Sequence, residues 1–120
     1  MYSSIVREHA VHPHHRKALP LANGWGEASF PPCGDRFKLF LRVEDHRIIE
    51  ASFEAQACGP VVAMGSVGTQ LLCGLTVDEA RQLNAFSLDE RLGGLPPAKR
   101  HAILLFLDSL HQALSLATSI

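Results

Sequence analysis

The rhythm of apolar and polar residues changes about halfway along the chain. Between residues 36 and 45, Phe37, Leu39, Leu41 and Val43 alternate with Arg36, Lys38 and Arg42. This two-residue period predicts a strand with one buried face. A polar turn, "EDHR" (44–47), leads to "RIIEASFEA" (47–55), a further strand, and "NGWGEASFPP" (23–32) opens with a turn and runs into an earlier one. Two or three antiparallel strands joined by short turns are therefore expected within residues 25–55. A short helix is expected over residues 2–11, ended by Pro13.

In the second half the period lengthens. "GPVVAMGSVGTQLLCG" (59–74) predicts a helix with Pro60 in its first turn and Gly74 at its end. "TVDEARQL" (76–83) opens with Thr76 and Glu79 three residues apart, a capping box, and "SLDERLGG" (87–94) predicts a short helical turn. From Pro96 to about Ala117, Ile103, Leu104, Phe106, Leu107, Leu110 and Leu114 are spaced for one broad apolar face. Strands followed by helices imply an α+β fold: a small antiparallel three-stranded sheet with helices packed on one face and a long C-terminal helix. With no repeat or linker, residues 1–120 are expected to form a single domain.

Composition narrows the function. The chain has 120 residues, 47% of them hydrophobic, enough for a core. A formal net charge of −1 argues against the basic field that nucleic acids or anionic membranes attract. No apolar run approaches the ~20 residues of a membrane span. "MYSSIVREHAVHP" does not read as a signal peptide. Three cysteines, Cys33, Cys58 and Cys73, are too few and odd in number for a disulfide scaffold, which points to a reducing cytoplasm.

Three spots carry chemistry. In "PPCGD" (31–35), Cys33 and Asp35 flank a glycine that permits a tight turn, so thiolate and carboxylate can face one cation. Most such triplets are only turns. In "ACGP" (57–60), Cys58 precedes a helix N-terminus, whose partial positive charge favours the thiolate; a buried structural cysteine is the plainer reading. His101 lies in the first turn of the last helix. Two sulfurs, an imidazole and a carboxylate suit zinc or an iron–sulfur cluster and suit magnesium or calcium poorly, but spacing alone does not decide between them. Cys73 lies too far along its helix to reach the same ion and reads as a packing cysteine. "VHPHHRK" (11–17) holds three of the seven histidines. Such a tract can bind metal, yet a solvated helix end explains it more simply.

The order of these motifs resembles the NifU/IscU-type iron–sulfur cluster assembly scaffold family. The likeness runs from "YSSIVREHAVHP" and "GWGEASFPPCGD" through "ACGPVVAMGS" and "LLCGLTVDEA" to "LPPAKRHAILLFLDSL". It implies an α+β fold and a protein that is no enzyme. Its members hold a nascent cluster, commonly 2Fe–2S, built with sulfur from a cysteine desulfurase, and pass it to recipient apo-proteins. By motif match, Cys33, Asp35, Cys58 and His101 fall on site positions. Leu95, Pro96, Pro97 and Lys99 fall on an exposed segment recognised by a heat-shock chaperone and its co-chaperone, with Ala98 in place of a usual valine.

The main departure is Ala102, where the family carries a third cysteine, a ligand and acceptor of persulfide sulfur. Met64 and Gly65 also replace usual small Ala/Ser residues, and "HPHHRK" replaces an Asn-Pro-Arg-Asn-like turn. The absence of an insertion before the last helix, together with His101, favours the IscU/NifU branch over the zinc-dependent SufU branch. Three readings follow. One is a scaffold or carrier of a 2Fe–2S cluster, held within one chain or shared across a homodimer whose four thiolates bridge it. The alternative is a zinc-binding homologue, incompetent for assembly, with a structural or regulatory role. The third, a thiol enzyme with Cys58 as nucleophile and His101 as base, lacks any suggested substrate pocket.

Overall fold

The computed structural model describes residues 2–118. Helix α1 spans Ser4–Val11, strands β1, β2 and β3 span Gly24–Phe30, Asp35–Glu44 and Arg47–Gln56, and helices α2, α3, α4 and α5 span Gly59–Leu72, Val77–Arg81, Ala85–Arg91 and His101–Ala117. The strands form one antiparallel sheet in the order β1-β2-β3. This is the α+β architecture expected from the strand-then-helix pattern.

Alternation in β2 builds the core. Phe37, Leu39, Leu41 and Val43 are buried on one face, with Leu39 paired to Gly26 on β1 and to Phe53 on β3. Helices α2 and α5 cover that face and share the same apolar cluster. The approach is close. A Cβ on Gly26 would lie 2.1 Å from the Ser109 carbonyl oxygen of α5, so a side chain there would push helix from sheet. Gln112 of α5 also pairs with the outer edge of β1. Its Oε1 accepts from the Glu27 N–H at 3.1 Å and its Nε2 donates to the Glu27 carbonyl at 2.8 Å, which covers backbone groups an edge strand leaves free.

Several boundaries move relative to the sequence reading. The last helix starts at His101 rather than Pro96. Pro96 is extended (φ −56°, ψ 144°), as expected of a residue that precedes another proline, and Pro97–Lys99 form a separate 3₁₀ turn. Helix α4 starts at Ala85, before the expected 87, because Asn84 accepts the Ser87 N–H and Ser87 answers the Asn84 N–H. The Thr76–Glu79 capping box is present as expected. On α5, Leu104, assigned to the apolar face, is 59% exposed, while Ile103, Phe106, Leu110 and Leu114 are buried. Leu104 lies on the side of α5 turned away from the sheet.

The histidine tract is less loose than a solvated helix end. Ser66 Oγ on α2 accepts from the His14 backbone N–H at 2.7 Å and lies 2.7 Å from His9 Nδ1. Thr69 Oγ1 lies 3.3 Å from His15 Nδ1, and the His15 carbonyl accepts from the Phe53 N–H of β3. Burial lowers the pKa of His9 and of His15, and repulsion from His14 lowers both further. No helix among the described residues is long and apolar enough to cross a membrane.

Candidate metal centre

Four elements converge at one end of the sheet. Cys33 closes the Pro31–Cys33 3₁₀ turn between β1 and β2, and Gly34 then takes φ +69°, a conformation that favours glycine. Asp35 is the first residue of β2, Cys58 is the N-cap of α2, and His101 is the first residue of α5. Turn, strand and two helix starts thus deliver one side chain each.

Asp35 ties them together. It is 2% exposed. Its Oδ1 accepts from the Cys58 N–H at 3.0 Å, satisfying a free donor at the start of α2. Its Oδ2 lies 2.7 Å from His101 Nε2 and 3.7 Å from Cys58 Sγ. Phe30 stacks on the His101 ring, with centroids 4.3 Å apart and planes 16° from parallel. His101 Nδ1 is buried and has no hydrogen-bond partner among the described residues. With Nε2–H directed at the carboxylate, Nδ1 carries the free lone pair. A carboxylate hydrogen-bonded to one imidazole nitrogen fixes the orientation of the ring, as it commonly does around metal-binding histidine.

Donor atoms of Cys33, Asp35 and His101 lie within 4.8 Å of one another. Cys58 stands outside that group and joins it through its contact with Asp35. Cys33 is exposed and Cys58 half-buried, and neither is in a disulfide. The donors are two sulfurs, an imidazole and a carboxylate, which fit zinc or iron better than magnesium or calcium.

Three expectations are corrected here. The thiolate expected of Cys58 is not favoured in the metal-free protein. Burial pushes the thiol up and the Asp35 carboxylate adds to it, while the Val61 N–H and Lys99 pull the other way without cancelling them. Helix-end polarity is outweighed first by burial of the thiol and then by the carboxylate that caps the helix and faces the sulfur. Cys73, read as a packing residue, is exposed at the C-terminal end of α2. The helix turns it away from the core just before Gly74 (φ +94°) breaks off toward β3. Leu95, placed in an exposed segment, is 5% exposed and belongs to the core, whereas Pro97 and Ala98 are exposed and Pro96 and Lys99 half-buried. An isolated leucine before two prolines reads as a loop residue, but Asp89 Oδ1 accepts its N–H at 2.9 Å and draws it inward. Phe30 was missed. Its position immediately before "PPCGD" is the only sequence signal for it, and strand alternation alone does not fix which way it faces.

Ala102 is 1% exposed and sits in the core beside His101, so the position where the resemblance implies a third cysteine contributes only packing here.

Known proteins resemble this chain over most of its length. The family described as NifU-like N terminal domain matches residues 1–117. The chain is 33% identical over 114 residues to a protein of Archaeoglobus fulgidus named iron-sulfur cluster assembly scaffold protein IscU 1, covering 95% of this chain and 74% of that one. It is 34% identical over 115 residues to an Aquifex aeolicus protein named iron-sulfur cluster assembly scaffold protein IscU, covering 94% of this chain and 73% of that one. Among solved structures, a nitrogen-fixing NifU-like protein (N-terminal) from Brucella abortus superposes with a TM-score of 0.64 at 20% identity, over 96% of this chain and 81% of that one. At that identity the likeness is one of fold. The sequence relatives and the family match go further, and on them the chain belongs to the NifU-like N-terminal domain family.

Proposed function

We propose that this chain is an iron–sulfur cluster assembly scaffold or carrier that holds a 2Fe–2S cluster at Cys33, Cys58, His101 and Asp35 and passes it to recipient apo-proteins. The observation that carries the reading is the convergence of Cys33, Asp35 and His101 within 4.8 Å, with the Cys58 thiol 3.7 Å from Asp35. The cluster is cargo. Its iron atoms accept thiolate and imidazole donors and take a carboxylate less readily. The two relatives described above are named cluster assembly scaffolds, which favours this reading over resident zinc.

The chain's own groups prepare the site. Asp35 holds the His101 ring in place through Nε2. It also faces the Cys58 sulfur and, after burial, helps hold that thiol's pKa up, so a bound cation favours the thiolate. Loading therefore releases the Cys58 proton. The exposed Cys33 thiol is reachable from solvent and from a partner. In this reading a cysteine desulfurase supplies sulfur at that open side. A heat-shock chaperone and its co-chaperone dock on residues 95–99 through Pro96, Pro97 and Lys99, with Leu95 anchoring the segment from below. The working compartment is a reducing cytoplasm.

Anaerobic incubation with ferrous iron, cysteine and a desulfurase tests this. Iron and acid-labile sulfide gained in equal amounts support it. Tightly held zinc with no sulfide gained overturns it in favour of a structural or regulatory zinc protein. Ala102→Cys adds a third thiol beside His101 and is expected to raise the cluster yield.

A further inference from the structure

We propose that His9, His14 and His15 form a second metal site, separate from the cysteine centre, that takes one divalent transition-metal ion of the kind imidazoles prefer.

Three observations on α1, α2 and the connecting loop carry this. First, the rings are neighbours. The His9 and His14 centroids are 5.4 Å apart and those of His14 and His15 are 6.4 Å apart, so His14 stands within reach of both. Second, the outer two rings are seated by hydroxyls one turn apart on the same helix, Ser66 and Thr69. Thr69 Oγ1 donates its own proton to the Gly65 carbonyl at 2.7 Å. It can therefore only accept from His15, which fixes the proton on Nδ1 and leaves Nε2 as a free donor atom. Ser66 Oγ accepts from the His14 N–H and, 2.7 Å from His9 Nδ1, seats that ring as well. A ring whose far nitrogen is held by a hydrogen bond while the near one stays open is the outer-shell arrangement typical of metal-binding histidine. Third, His15 has φ +60°, a conformation a non-glycine residue holds only when its surroundings impose it. The Phe53 N–H bonded to the His15 carbonyl and the Arg16–Phe53 bridge pin the loop there. The backbone is thus fixed in the conformation that sets His15 against Thr69.

His14 is exposed and its backbone is anchored on Ser66. Rotation of its side chain closes the set around an ion with no change in the helices. The site lies along α2 from Ser66 onward, about 12 Å from Cys58 at ~1.5 Å per residue, too far to share an ion. Imidazoles without carboxylates or thiolates select zinc, nickel, copper, cobalt or ferrous iron and discriminate against magnesium and calcium.

Cobalt(II) titration of the intact chain distinguishes the two sites, because only the cysteine centre gives sulfur-to-cobalt charge-transfer absorption. The expected result is a second equivalent that binds without that absorption. It should be lost or weakened at least about tenfold in His14→Ala and in His15→Asn, which keeps the left-handed backbone accessible. Both variants should keep the thiolate-linked equivalent, which reports an intact fold. A single equivalent in the wild-type chain, or a second one unchanged in both variants, would overturn the proposal.

Discussion

Cys58 and Cys73 cap the two ends of the same helix, about 20 Å apart, and share almost nothing else. At the N-terminal end, strand β2 brings a buried carboxylate to the sulfur and helix α5 an imidazole to that carboxylate, and burial together with the carboxylate pushes the thiol up. At the C-terminal end the chain turns through Gly74 toward β3, and Cys73 faces solvent. Residue type is identical, and the surroundings make one a ligand candidate and the other a surface thiol. A cysteine's chemistry here is set by what other elements deliver to it.

Removing Asp35 should erase most of that difference. Asp35→Ala takes away the partner of the half-buried Cys58 N–H and of the buried His101 Nε2. Each orphaned group costs about 1–3 kcal/mol. A loss of about 3 kcal/mol in urea unfolding is therefore expected, together with failure to load iron and sulfide.

A milder test leaves the fold untouched. Alkylation followed by peptide mass spectrometry should show Cys58 reacting more slowly than Cys73 near neutral pH, because the raised thiol supplies less thiolate and is the less exposed of the two. The gap should narrow as pH rises. Asp35→Asn, which removes the facing charge, should narrow it at neutral pH. Equal rates for the two cysteines across the range would contradict the shift.

The smallest effect concerns the middle of α2, between the two cysteines. His9 and His15 have lowered pKa values in the folded chain, so the unfolded chain binds their protons more readily. Stability is then full above about pH 6.5, the ordinary imidazole value, and falls as pH drops through the two lowered values. Urea midpoints at successive pH values should show this decline. His14→Ala, by removing a repelling neighbour, should make it shallower.

The sequence carried the frame of this fold because the frame depends on local periodicity. Alternation at Phe37, Leu39, Leu41 and Val43 exposed the central strand, and the Thr76–Glu79 pair exposed a helix start. The four residues of the cysteine centre were legible only as a joint motif, since no single spacing brings Cys33, Cys58 and His101 together. What stayed hidden was long-range. The upward push on the Cys58 thiol comes from burial and from a carboxylate 23 positions away. Leu95 is buried through a bond to Asp89, and the Phe30–His101 stack joins residues 71 positions apart. The exposure of Cys73 follows from where α2 ends against the sheet, which helical periodicity does not report.

Iron and acid-labile sulfide per chain, measured after anaerobic reconstitution of Cys33→Ala, Cys58→Ala and Cys73→Ala beside the wild-type protein, test the central claim most directly. Loss of the cluster in the first two, with wild-type content in the third, is the expected result. A full cluster in Cys58→Ala or Cys33→Ala, or its loss in Cys73→Ala, would contradict the assignment of the site.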